Sequence, residues 1–182
     1  PEVEYDDEKV KEQKRKRQRV LDLLRDAAMF YVHNLSDPRA GKHIEYIYKR
    51  NLTSATVTKF GLGASLDYDG LPTYLKKKGY TKEEMTASGA VGEKNGRVYD
   101  ALAGRLIIPV IDAFNNVVAF CGRIIEKKEN VGKYVNTKET IVFSKGKTLF
   151  NINNVKKVKN EEGIKDIIIV EGHMDVISLV QA

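Results

Sequence analysis

The chain has 182 residues, 42% hydrophobic and 31% charged, which is enough length and apolar content for one real core or two small ones. No apolar run approaches membrane-span length, and the single cysteine, Cys121, excludes an internal disulfide and a cysteine-based zinc ribbon, so the reading is a soluble cytoplasmic protein. The net charge of +6 is regional: residues 123–159 hold ten Lys and Arg against three Glu, a pattern that suits a phosphate-bearing partner and equally a solvated lysine-rich surface.

The chain opens on Pro1 without a signal-peptide pattern and reads as a piece of something longer. Acidic "PEVEYDDE" leads into basic "KVKEQKRKRQR", and Val20, Leu24, Ala27 and Tyr31 then recur at helical spacing. One long helix is expected, its first turns in solvent and its later turns docked. The basic run could meet nucleic acid or be a solvated face. "SDPRAG" predicts a capped turn, and Ile44, Ile47 and Tyr48 mark the inward face of a second helix. "LTSATVTKF" and "LPTYLKKKG" give two more helices, and Thr81 to Glu84 is a capping box opening a fifth that ends near Gly89.

After Gly89 the pattern changes to strands. "EKNGRVYD" carries an Asn95–Gly96 turn, and "RLIIPVID", "AFNN" and "VVAFCGRII" form strand, turn and strand. Pro109 lacks a backbone donor, which predicts an edge position or a bulge. A short helix is expected near Ile152–Val158. Asp166–Val170, "DIIIV", reads as a buried strand leading into a last helix. The fold class is therefore α/β, of mixed α+β kind. A helix-rich N-terminal part with a small mixed sheet fills residues 1–160, and the first strand and helix of a parallel sheet fill 161–182. That last pair cannot bury both of its faces alone and must borrow contacts upstream or be completed by further chain.

Chemistry is suggested first by "EGHMD". A carboxylate at the end of an apolar parallel strand lies where open sheets place ligands, so Glu171 is a candidate metal ligand or proton-transfer group. Gly172 permits a sharp turn, and Asp175 either organises that turn or is an ordinary first-turn acid. Two-metal phosphoryl chemistry needs more acids than this pair. Lys133, Tyr134 and Asn136 combine a cation, a stacking ring and an amide within four positions, as single-stranded nucleic acid or nucleotide binding requires; a basic strand with one half-buried tyrosine is the plainer alternative. Lys145 beside Gly146 could approach phosphate. Arg105 and Arg123 border the apolar strands, where arginines often only extend to solvent, and Arg50 closes a helix, where a cation suits the dipole.

"IIIVEGHMDVI" resembles the first motif of the TOPRIM domain. Together with "GRLIIPVIDAFNNVVAFCGR", "KYVNTKETIVFSKGKTLF", "KRNLTSATVTKFGLG" and "GRVYD", the chain from about residue 18 onward resembles the RNA-polymerase core of bacterial DnaG-type primases. The resemblance implies synthesis of short RNA primers on single-stranded DNA from ribonucleoside triphosphates, with magnesium or manganese. It implies a basic N-terminal subdomain over 1–160, the start of a TOPRIM subdomain over 161–182, and a template groove between the two. Glu171 would be the first catalytic acid and a metal ligand, completed by acids that this chain lacks, with Gly172 and Asp175 in support. Arg50, Arg105, Arg123, Lys133, Tyr134, Asn136 and Lys145 would contact template or nucleotide. A zinc module upstream and a helicase-binding region downstream belong to the family pattern but not to this sequence. The expectation is a monomeric piece, inactive alone, of a cytoplasmic enzyme. The alternatives are another TOPRIM enzyme, a nuclease or topoisomerase, or a binding module without turnover. His173 stands where the family has tyrosine and reads as a half-buried packing residue; Ala103 replaces an expected basic residue, Cys121 a frequent glycine, and Asn115–Asn116 a glycine turn.

Overall fold

Val20, Leu24, Ala27 and Tyr31 are all buried along one side of α1 (Glu2–Asn34) in the computed structural model, which describes residues 2–126 and 129–182. Residues 7–18 of the same helix are exposed, as the charge run predicts. A short 3₁₀ turn, Pro38–Ala40, follows, capped by Asp37 accepting from the Arg39 N–H. Then come α2 (Gly41–Lys49) and α3 (Ser54–Phe60). On α2 the inward residues are His43 and Ile47, with Ile44 half-buried, whereas Tyr48 is 72% exposed. The expected face was one residue out, because one residue is about 100° of helix and the ridge that packs runs 43–47.

The strand β1 (Gly63–Ala64) passes against α1 so closely that a Cβ on Gly63 would lie 2.5 Å from the Tyr31 carbonyl carbon, and only glycine fits. Helices α4 (Gly70–Lys77) and α5 (Lys82–Ala87) pack beside α1. The Thr81–Glu84 capping box is present in full, and Glu84 also takes a two-point contact from Arg19 at 2.7 and 2.9 Å. The Asn95–Gly96 turn joins β2 (Val91–Lys94) to β3 (Arg97–Asp100), both turn residues having positive φ.

The central sheet has the order β1-β4-β5-β6, with β4 (Arg105–Ile111), β5 (Val117–Ile124) and β6 (Tyr134–Asn136). Every pairing in it is antiparallel, so the expected mixed sheet is corrected to an antiparallel one: β4, β5 and β6 follow one another in sequence, and β4 comes back beside β1 from the opposite direction after α4, α5, β2 and β3. Pro109 lies beyond the residues that β1 pairs, next to a register shift at Val110/Ile111, where its missing donor costs little. At the hairpin tip Asp112 accepts from the backbone N–H of Phe114 and Asn116, and Asn115 takes φ 64°, the role a glycine would have had.

Two apolar layers cover the sheet. Ile107 and Phe120 pack on α1, α4 and α5. Leu106, Ile108 and Cys121 pack with Ile47, Leu52, Phe60 and Leu62, and with Met174 and Ile177 of α7 (His173–Gln181). Between β6 and α7 runs α6 (Ile152–Glu161), at the expected place. The segment 166–170 corrects the sequence reading. Asp166–Val170 forms no ladder, and Ile167, Ile168 and Ile169 are 63%, 77% and 82% exposed. Its helix borrows contacts across the sheet face while the segment lies along no strand edge, so its backbone groups face water instead of a partner.

Candidate nucleic-acid interface

The antiparallel register sets the interface. Leu106 pairs with Arg123 and Arg123 with Tyr134; Ile108 pairs with Cys121 and Cys121 with Asn136. Strand alternation therefore puts Arg123, Tyr134 and Asn136 on the same sheet face as Leu106 and Ile108. Arg123 is buried, with its guanidinium carbon 4.7 Å from the Tyr134 ring centre and 5.5 Å from that of Tyr46. Cation–π attraction to two rings offsets part of the cost of burying that charge. Nε and Nη1 of Arg123 have no hydrogen-bond partner and almost no exposure to solvent.

Arg50 reaches the same Tyr46 ring from the C-terminal end of α2. Its guanidinium carbon is 5.4 Å from the ring centre, and Nε donates to the phenolic oxygen at 3.1 Å. Burial raises the Tyr134 phenol above its ordinary pKa, while the Arg123 charge opposes the shift. Three residues named from the sequence, Arg50, Arg123 and Tyr134, thus share one cluster, and its centre is Tyr46, which the sequence reading missed. The available signal was spacing: Tyr46 and Arg50 are four apart on one helix and so face the same side.

The other candidates stand apart from that cluster. Lys133 is exposed just before β6, its carbonyl accepting from the Ile124 N–H at 3.0 Å. Asn136 is exposed two residues beyond Tyr134. Lys145 is exposed in a turn whose backbone donates to Glu139 at 2.8 Å. Arg105 is turned inward: Nη1 donates to the carbonyls of Gly122 at 3.2 Å and Gly132 at 3.0 Å, and burial lowers its pKa from the ordinary value. It crosses β5 over Gly122, where a Cβ would stand 2.7 Å from the arginine Cδ. In this geometry Arg105 ties β4 to the 129–133 segment. An open pocket beside it is lined by Lys42, His43, Tyr68, Ala103 and Arg105. His43 is buried with neither ring nitrogen hydrogen-bonded, and desolvation lowers its pKa.

Glu171 lies exposed just before α7. Gly172 is the N-cap of that helix, and the Asp175 carboxylate folds back over it, with Oδ2 2.6 Å from where a Cβ would be. His173 is half-buried against Phe150, with ring centres 4.6 Å apart, and burial lowers its pKa, which matches the packing role expected. At the far end of α7, Gln181 accepts from the Thr53 N–H at 2.8 Å and donates to the Asn51 carbonyl at 2.7 Å. Those hydrogen bonds bring the helix end beside Arg50 and leave Glu171 about 15 Å away along the axis. Among the described residues no group of three or more His, Cys, Asp or Glu side chains could hold a metal ion. None of the helices among the described residues is long and apolar enough to cross a membrane.

Residues 30–156 match the family model described as the DNA primase catalytic core, N-terminal domain. The DNA primase of Clostridium acetobutylicum is 40% identical over 157 residues, which is 86% of this chain and 25% of that protein. A solved structure of a DnaG primase catalytic domain bound to single-stranded DNA superposes with a TM-score of 0.79 at 28% identity, covering 92% of this chain and 52% of the other. The RNA polymerase domain of Mycobacterium tuberculosis primase DnaG, in complex with a double-stranded DNA oligomer with a 6-nucleotide overhang, gives 0.83 at 30% identity, covering 90% and 51%. The chain thus spans about a quarter of the length of the curated relatives it matches.

Proposed function

Since the chain belongs to the DNA primase family, through the N-terminal domain of its catalytic core, we propose that it carries the strand-binding face of an RNA polymerase that makes primers on single-stranded DNA. The observation that carries this reading is Arg123, buried between two tyrosine rings with two donors unpartnered and Arg50 beside it. A guanidinium so held suits a phosphate oxygen, and the half-exposed Tyr134 ring suits a base. Lys133, Asn136 and Lys145 would add contacts along the strand, and Arg105 would act by fixing the segment that precedes β6. Residues 1–160 would form the basic subdomain and 161–182 the opening of the TOPRIM subdomain.

In the reaction, a primer 3′-hydroxyl attacks the α-phosphate of a ribonucleoside triphosphate and pyrophosphate leaves. Magnesium or manganese bound near the phosphates would stabilise the developing negative charge. This chain's basic residues would hold and orient the template and triphosphate. Glu171, exposed at the start of α7, would be the first catalytic acid. Its single carboxylate, with Asp175 engaged over Gly172, is short of the set that two-metal chemistry needs. Polymerisation would therefore need further acids, and by itself the chain would bind nucleic acid without turnover.

The test grafts this chain in place of the matching segment of a curated DNA primase and supplies single-stranded DNA, ribonucleotides and magnesium. RNA from the graft that disappears with Glu171→Gln is the expected result. DNA cleavage without RNA would replace primer synthesis by nuclease or topoisomerase chemistry, and equal RNA from both grafts would remove Glu171 from the mechanism.

A further inference from the structure

Among the described residues, His43 and Arg123 are the side chains with buried nitrogens that lack a hydrogen-bond partner. The His43 ring stands where α2 meets the backbone at Ser65 and Arg105, and burial lowers its pKa. Arg123 is held between the rings of Tyr46 and Tyr134. Neither Arg50 nor Arg123 forms an ion pair with a described acid, and both guanidinium groups lie within 5.5 Å of the centre of the same Tyr46 ring. Tyr46 offers that ring to both guanidinium groups and its hydroxyl oxygen to the Nε of Arg50 at 3.1 Å. The ring itself is fixed: Tyr46 is half-buried and packs against the core layer of Ile47, Leu106 and Cys121.

Two like charges without a counter-ion repel, so the arrangement needs a rigid spacer and an anion to complete it. We propose that Tyr46 is a positioning residue that spaces and aims Arg50 and Arg123 at one phosphate group. This rests on the nucleic-acid reading above and adds to it how the pair is built. The phosphate takes the unpartnered Nε and Nη1 of Arg123 once the covering ring moves aside. Tyr134, on the edge strand β6 and 38% exposed, is the wall that must turn outward for this, where its ring would stack on a base.

The experiment is a double-substitution cycle on the 182-residue chain, with a fluorescein-labelled oligodeoxythymidylate and, separately, ATP as probes. Tyr46→Phe keeps the ring and its packing but removes the acceptor for Arg50. It should weaken phosphate-ligand binding about threefold to tenfold, and it should weaken it no further once Arg50→Ala is present. Tyr46→Leu removes the ring and should lower the slope of log affinity against log salt by about 0.7 for each phosphate no longer neutralised. An effect seen with the oligonucleotide assigns the phosphate to the strand; one seen with ATP assigns it to the nucleotide, and either supports the proposal. Equal reductions from Tyr46→Phe with and without Arg50 would overturn it while leaving strand binding intact. Absence of binding to both probes in the unsubstituted chain would overturn the underlying reading, and this proposal with it.

Discussion

Asp100 ends β3 almost wholly buried, and its carboxylate accepts from Tyr31 Oη at 3.0 Å, Ser65 Oγ at 2.6 Å and the Leu102 N–H at 2.8 Å. Three donors favour the charged form, but burial outweighs them and pushes the group up to about 6 from the usual 3.8. In the unfolded chain Asp100 loses its proton near pH 4, and in the folded chain only near pH 6. The folded state therefore binds more protons between those values, and its stability falls as pH rises across that window, by about 3 kcal/mol for this group. Asp100→Asn should abolish that slope. Urea unfolding at pH 4 and at pH 7 checks it: the difference in free energy between the original chain and the variant should shift by about 2–3 kcal/mol from one pH to the other. His43 and His173 have the opposite sense, since burial favours their neutral forms and their contribution grows as pH rises through the ordinary histidine range. None of this was legible in the sequence, where Asp100 is one acid in "GRVYD"; its burial is made by α1 and β1, which arrive from elsewhere in the chain.

Elements whose signals are local were the readable ones. The Thr81–Glu84 box, the Asn95–Gly96 turn and the periodicity of α1 each appear where the residues place them. What the sequence does not carry is the second use of a residue. Glu84 closes the cap of α5 and also receives Arg19 of α1, joining two helices through one carboxylate. Thr81→Ala should then cost about 1 kcal/mol, the worth of a lost N-cap. Glu84→Ala should cost more, about 2 kcal/mol, because the bridge between the helices goes with it. Thermal unfolding of the two variants gives the order, and equal costs would mean that Arg19 adds nothing. The segment 166–170 failed for the converse reason. Its apolar run has strand composition, but a strand exists only with a partner to complete its hydrogen bonds.

On the scale of the molecule, the antiparallel sheet works as a plate with both faces covered by helices. The cluster of Arg50, Tyr46, Arg123 and Tyr134 lies on the face that carries Leu106 and Ile108. The fold class and the family resemblance were legible because they rest on strings of adjacent residues. The cluster was only half legible, because Tyr46 joins it through the crossing of α2 over β5. If three to five basic side chains meet phosphates, log affinity for single-stranded DNA should fall against log salt with a slope of about −2 to −3.5. Lys133→Ala with Lys145→Ala should flatten that slope, and an unchanged slope would take both lysines out of the interface. The last consequence concerns the three isoleucines that face water ahead of α7. A ribbon of free amides and carbonyls flanked by branched apolar side chains pairs with whatever extended chain reaches it first. For this stretch, pairing is decided by concentration: dilution leaves it in water, and crowding favours another copy.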